Sequence, residues 1–254
     1  MKILGFVIKK GSCLGLAIIL LGALFSGPAA AKQLNYRLKW LFNASVVGDI
    51  YADVHGYFKE AGLDIKVKPG GPERDAIKEL ELGHASFGVA SADQVIRALS
   101  KGAPVVVIAQ IFQVNPMHWM YRTEDVSIAK LDDLKNKVIG VTFGGNDEII
   151  LRTLMAKGNI TEKDVTLYSA RYDYNPFYQK KVDLWPVYLN TQAVFLEKKL
   201  AQNGEAVSFF NPADHGVQFV SNSVVTSEKM MAEDPETVKS FVSSLCKAWE
   251  AALA

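Results

Sequence analysis

Cysteine and histidine are scarce in this chain of 254 residues, which has two of the first and four of the second. Cys13 lies in the first 31 residues and Cys246 near the other end. If the first 31 residues are removed, no intramolecular disulfide is possible, and Cys246, inside a helical pattern, reads as a small buried apolar residue. His55, His84, His118 and His215 are scattered, with none at metal-ligand spacing, so each reads as a surface or packed side chain. An excess of one charge is also missing. The chain has 28 basic and 27 acidic residues; without the three leading lysines the balance is 25 to 27, a formal −2. A near-neutral surface argues against nucleic acid as a partner. No G-x-S-x-G elbow, Walker loop or G-x-G-x-x-G fingerprint occurs. No nucleophile stands with a matched base, so no catalytic residue, metal-ligand set or cofactor is read. The adjacent Asp132 and Asp133 open a helical turn, where they complement its dipole.

The N-terminus carries Lys2, Lys9 and Lys10, then an apolar run over residues 14–25, then Gly27-Pro28 and Ala29-Ala30-Ala31. That order is expected of a secretory signal peptide over residues 1–31 with an A-x-A cleavage site. A membrane anchor is the competing reading, and the apolar run falls short of the roughly 20 residues it needs. Lys9-Lys10-Gly11-Ser12 precede Cys13, which does not suit a lipid-attachment motif. The rest, in a chain 49% hydrophobic and 22% charged, has the balance of a folded globular protein.

From residue 34 on, strand and helix signals alternate. Residues 36–40 alternate at period two as a strand, and 50–61 carry apolar residues at helical spacing up to the stop at Gly62. A strand at 63–67, a helix at 74–82, a strand at 85–90, a helix at 92–100 and a wholly apolar strand at 105–110 follow. This β-α-β order predicts a mainly parallel, buried sheet with helices on both faces. A second set has strands at 138–142, 165–168, 181–189 and 206–210 and helices at 147–157 and 192–203, with an irregular aromatic stretch at 172–178. Residues 217–226 read as extended. Residues 235–252 read as an amphipathic helix capped by Asp234, with Pro235 at its first position. The predicted fold is α/β, with two lobes: 32–118 plus 218–254 in the first, 119–217 in the second.

Ligands of open α/β sheets bind beyond the carboxyl ends of strands. Those ends hold Trp40, Asn43, Ser45 and Asp49; Ser91 and Asp93; Gly144, Gly145 and Asn146; and Trp185, Tyr188 and Asn190. Gly144-Gly145-Asn146 before a helix offers backbone N–H groups to a polar or anionic acceptor, or is an ordinary turn. Trp40 either faces a pocket or packs one lobe on the other. Tyr172, Tyr174, Phe177, Tyr178, Trp185 and Tyr188 form an aromatic cluster suited to a planar ring, or else the core of the second lobe. Asp49 suits helix capping as well as binding. The expected ligand-binding set is Trp40, Asn43, Asp49 and Ser91 from one lobe, with Gly145, Asn146, Tyr174, Trp185, Tyr188 and Asn190 from the other.

Trp40-x-x-Asn43 followed by Gly48, then "YFKEAGLDIKVKPGG", "GHASFGVASADQVIRALSKGAPVVVIAQIFQ" and "GVTFGGNDEIILRTLMAKGNI", resemble the periplasmic binding proteins related to thiamine-pyrimidine synthases. The resemblance spans roughly residues 36–247. It implies a type II two-lobed solute-binding fold and a hinge of two crossing strands. It also implies a monomer in the periplasm that hands a small aromatic ligand, such as a thiamine pyrimidine precursor, to an inner-membrane ABC permease. A sulfonate or nitrate binder and a sensory module of a membrane receptor are the alternatives. Pyrimidine-handling members commonly carry a histidine where this chain has Ser45-Val46-Val47, and an Asn-Glu where it has Asn190-Thr191. The cysteine-rich catalytic segment of the synthases has no counterpart, which argues against synthase chemistry. The chain is shorter than the family usually runs, so helices bracing the first lobe are expected beyond its end.

Overall fold

The computed structural model describes residues 33–254; the expected signal peptide lies outside them. In chain order the elements are β1 (Leu34–Arg37), α1 (Val47–Val54), α2 (Tyr57–Glu60), β2 (Ile65–Lys68), α3 (Ala76–Glu81), β3 (Phe87–Ala90), α4 (Ala92–Leu99), β4 (Val105–Phe112) and β5 (Met117–Arg122). There follow β6 (Val138–Val141), α5 (Asn146–Lys157), β7 (Thr166–Ser169), α6 (Asn175–Tyr178), β8 (Leu184–Tyr188), α7 (Gln192–Gln202), β9 (Val207–Phe210), β10 (Ser221–Ser227), α8 (Glu228–Glu233) and α9 (Pro235–Leu253). No described helix is long and apolar enough to cross a membrane.

Two five-stranded sheets result, ordered β2-β1-β3-β10-β4 and β7-β6-β8-β5-β9. In the first, β1 pairs parallel with β2 and β3, while β10 runs antiparallel between β3 and β4. The expectation that β4 is a buried parallel strand is therefore corrected. It is an edge strand with one antiparallel neighbour, and Val107 is 44% exposed. Central β10 is rich in Ser, Asn and Thr, and hydrogen bonds satisfy these buried groups. Thr226 Oγ1 donates to Ser86 O (2.7 Å), Ser223 Oγ to Gln110 Oε1 (2.8 Å) and Asn222 Nδ2 to Ser45 O (3.0 Å).

The second sheet contains β5, which the sequence pattern did not reveal. Its Met117 and His118, expected in the first lobe, pair with Tyr188 and Val187 of β8. The chain thus crosses between sheets at 113–116 and returns at 211–220, and the two crossings meet where Asn115 N–H donates to Phe219 O (3.1 Å). The helix expected over 50–61 is broken in two at Gly56, whose φ of 78° lies outside the helical region. The aromatic stretch 172–178 contains the short α6, with Pro176 in its first turn.

Phe241 of α9 anchors the first core, stacking on Phe87 (3.8 Å) and Phe58 (5.2 Å) and meeting Tyr36 edge-on. The second sheet has a core on each face, one around Trp119 and Leu154, the other around Trp185, Phe177 and Leu196. Cys246 is exposed, not buried. Buried Val238, Phe241, Leu245 and Ala248 define the inner stripe of α9, and position 246 lies one residue off it.

Candidate functional site

The loop after β1 builds one wall of a cleft between the sheets. Leu38 N–H still follows the sheet, donating to Lys68 O (2.9 Å), and the chain then bends. A Cβ on Gly70 would lie 1.9 Å from Leu38 O, so a side chain there would block the bend. Lys39 and Trp40 consequently leave the sheet at its carboxyl end and face the cleft. Asn43 then caps the 3-10 turn Ala44–Val46. Its Oδ1 accepts from Ser45 N (2.9 Å) and Ser45 Oγ (2.6 Å).

The opposite wall comes from the ends of β6, β7 and β8. After β6, Asp147 Oδ2 accepts Thr142 N–H (2.5 Å) and ties α5 to the strand. Gly144, at φ 83°, donates to Glu148 Oε2 (2.7 Å), and Gly145 N–H donates to Thr142 O (2.7 Å). The glycine N–H groups expected to be free for a ligand are therefore consumed within the turn. Asn146 beside them is buried, and its Nδ2 has no partner. Arg171 and Tyr174 follow β7, while β8 supplies Trp185 to Tyr188. Gln192 Oε1 accepts Tyr188 N–H (3.0 Å) and the Thr191 hydroxyl.

Between the walls lies a cavity of about 620 Å³ including its open mouth. Side chains also touch across it. Lys39 Nζ donates to Tyr188 Oη and sits 4.8 Å from the centroid of that ring, with Ser221 Oγ at 3.5 Å. Trp40 lies 5.4 Å from Tyr172, and Arg171 pairs with Glu73 at 2.8 Å. An inner recess shares Lys39 and Trp40 with the main cavity and is lined also by Gln94, Gly144 and Gly145. An outer recess shares Trp40, Asn43, Tyr174 and Gln192 and adds Asn190.

Burial governs the acid groups around the cleft. It raises Asp147 to about 6, against the downward pull of the Thr142 N–H and the Lys39 charge. Asp93 is also raised by burial, with the Lys39 charge opposing, and neither of its oxygens has a hydrogen-bond partner. Burial lifts the Tyr174 phenol above its ordinary value.

The main cavity thus brings together Trp40, Asn43, Asn146, Tyr174, Trp185 and Tyr188 of the expected set. Gly145 faces the inner recess and Asn190 the outer one. Two others are placed elsewhere. Asp49 is 1% exposed, and its Oδ1 accepts from Tyr36 Oη in the core of the first lobe. Ser91 is wholly buried and caps α4 through Gln94 Oε1. Trp185, at 1% exposure, floors the cleft from within a packed core. Of the aromatic cluster, Phe177 is core, whereas Tyr174 reaches the cavity. Sequence reasoning missed Lys39, Arg171 and Gln192. Lys39 was within reach, since it immediately precedes Trp40 at a strand's carboxyl end.

Among known proteins, the NMT1/THI5-like family model matches residues 43–254. The formylaminopyrimidine-binding protein of Halalkalibacterium halodurans is 25% identical over 232 residues, covering 89% of this chain and 68% of that protein. The 4-amino-5-hydroxymethyl-2-methylpyrimidine phosphate synthase THI11 of Saccharomyces cerevisiae is 24% identical over 237 residues, with the same two coverages. Among solved structures, the alkanesulfonate-binding protein SsuA of Xanthomonas axonopodis pv. citri superposes with a TM-score of 0.62 at 17% identity, covering 87% of this chain and 74% of that one. That likeness shows the two-lobed periplasmic-binding-protein fold. With the family model matching most of its length, the chain belongs to the NMT1/THI5-like family.

Proposed function

We propose that this chain is a periplasmic solute-binding protein that closes two lobes on a small planar heterocycle and delivers it to an ABC importer. One observation carries the reading. A single cleft is lined by an aromatic ring and polar groups from one sheet, Trp40 and Asn43, and by Tyr174, Tyr188 and Asn146 from the other. A ligand held by both walls stabilises their approach, and the crossings at 113–116 and 211–220 are the natural hinge. Rings that stack, with a few convergent hydrogen-bonding groups, suit a flat heterocycle of the thiamine-pyrimidine kind. The names of the pyrimidine-related relatives point to the same chemistry. Binding is favoured over synthesis because Trp40, Tyr174 and Tyr188 offer rings and Asn43, Asn146 and Gln192 offer amides, while Asp147 and Arg171 of the lining are held by Thr142 N–H and Glu73. Export of the chain with cleavage after Ala31, and action as a monomer on a membrane permease, complete the proposal.

The test is a thermal-shift screen of the protein lacking residues 1–31 against formylaminopyrimidine, hydroxymethylpyrimidine, flavins, purines and alkanesulfonates. A ligand at 100 times its Kd adds about 2.7 kcal/mol, which should raise Tm by roughly 5–10 °C. A flat response to every compound at millimolar concentration would sink the reading.

A further inference from the structure

Resting on that solute-binding reading, we propose that the cleft selects a ligand whose ring carries a negatively charged oxygen group. Lys39 and the amide N–H groups of Asn43, Asn146 and Gln192 would receive that group.

The argument is an inventory of donors and acceptors. Asn43 Oδ1 is committed to Ser45, and Gln192 Oε1 to Tyr188 N and Thr191. Each amide therefore has its NH₂ left for the cleft, because the acceptor end is already bonded. Asn146 Nδ2 is buried with no partner at all. The acid lining the cavity, Asp147, spends Oδ2 on Thr142 N–H. Beside these donors the lining keeps acceptors, the second oxygen of Asp147 and the hydroxyls of Thr142, Tyr174 and Tyr188, so the donors gather around Lys39 and do not fill the whole wall.

Lys39 adds the charge. Its ammonium is half-buried, and its partners are two neutral hydroxyls, Tyr188 Oη and Ser221 Oγ. Among the described residues, none of the salt bridges includes it. Asp93 and Asp147 act on it only through space: burial raises both carboxyls, and the Lys39 charge opposes that rise. A half-buried cation without a bonded counter-ion leaves a place for one, and a ligand oxyanion at the cleft would pair with it and with the orphaned Asn146 donor. Arg171 also lines the cavity, but Glu73 already holds it. Two hydroxyls and an ammonium outside any salt bridge at the junction of both sheets also make the site sensitive to lobe closure, because Lys39 comes from the β1 loop, Tyr188 from β8 and Ser221 from the start of β10.

The experiment uses matched ring compounds that differ in charge: nicotinate against nicotinamide and 3-aminomethylpyridine, orotate against uracil, benzenesulfonate against benzenesulfonamide. Binding is read by titration calorimetry on wild type, Lys39→Met and Lys39→Arg, with circular dichroism confirming that each variant folds. The acids are expected to bind about tenfold or more tightly than their neutral partners. Lys39→Met should erase that ratio, and Lys39→Arg should keep most of it. Preference for the neutral or cationic members, or an unchanged ratio in Lys39→Met, would overturn the inference and leave solute binding standing. If no ring of any charge bound, both would fall together. Carboxylate and sulfonate arms that differ in affinity would identify which oxyanion the site takes.

Discussion

Gly48→Ala sets two opposing effects against each other inside the first lobe. Position 48 lies in the first turn of α1, where exchanging glycine for alanine should gain up to about 1 kcal/mol from helix propensity. The new methyl, however, would stand 2.2 Å from Cγ and Cδ2 of Trp249, the indole that α9 lays on α1. Carbon atoms prefer roughly 3.5–4.0 Å, so the ring must retreat by more than about 1 Å. Phe112, edge-on at 6.3 Å, limits that movement on one side. Overpacking of this kind costs about 1–3 kcal/mol, and the clash should outweigh the propensity gain, leaving a net loss of about 1–2 kcal/mol. Tm should drop by about 2–8 °C for a domain of this size. Urea unfolding followed at 222 nm measures the loss without depending on Trp249 fluorescence. In a Trp249→Ala background the clash is gone, so the same Gly48→Ala change should become neutral or stabilising. An equal loss in both backgrounds would refute the explanation, as would a stabilised single variant.

Acidity should protect the fold. Burial raises Asp49 from 3.8 to about 7, while the Tyr36 hydroxyl pulls the other way. A folded-state value above the unfolded one means the contribution is fully present below about pH 4 and is lost as pH rises through 7. The shift is worth on the order of 4 kcal/mol, so wild type should lose stability relative to Asp49→Asn between pH 4.5 and 8. Chemical denaturation at several pH values checks this, and a pH-independent difference between the two proteins would contradict it. Trp40→Ala should weaken ligand binding with little change in Tm, since Trp40 is half-exposed at the cleft. Trp185→Ala, by contrast, removes a ring at 1% exposure and should cost about 3–5 kcal/mol of stability, visible as a large Tm drop before any binding is measured. The Arg171–Glu73 bridge, exposed on both sides, should contribute little, so Glu73→Gln is expected to leave Tm unchanged within about 2 °C.

Much of this molecule was legible in its local patterns. The α9 helix followed from Asp234, Pro235 and a 3.6-residue apolar stripe, and Asp234 does accept Thr237 N–H (3.1 Å). The strand positions of β2, β3, β6 and β9 followed from short apolar runs between glycines and prolines, within a residue or two. These signals are local because a cap or a period needs only its chain neighbours. Cleft-facing Trp40 and Asn43 were legible for a related reason, as residues at the carboxyl end of a strand in an α/β sheet.

Partnership between distant segments was not legible. Strand β10 reads as merely extended, yet it enters the first sheet between β3 and β4 and turns β4 into an edge strand, because pairing depends on where the chain returns in space. Met117–Arg122 reads as a boundary, yet it becomes a central strand of the second sheet. Asp49 and Ser91 carry ligand-binding chemistry in sequence, but folding spends one on Tyr36 and the other on a helix cap. The Gly144-Gly145 N–H groups are likewise spent on their own turn, while Lys39, next to Trp40 in sequence, is left without a bonded counter-ion where the two sheets meet. Local sequence determined which groups were available for binding; tertiary structure decided which remained unsatisfied, because a hydrogen bond or ion pair made within the fold is no longer available to a ligand.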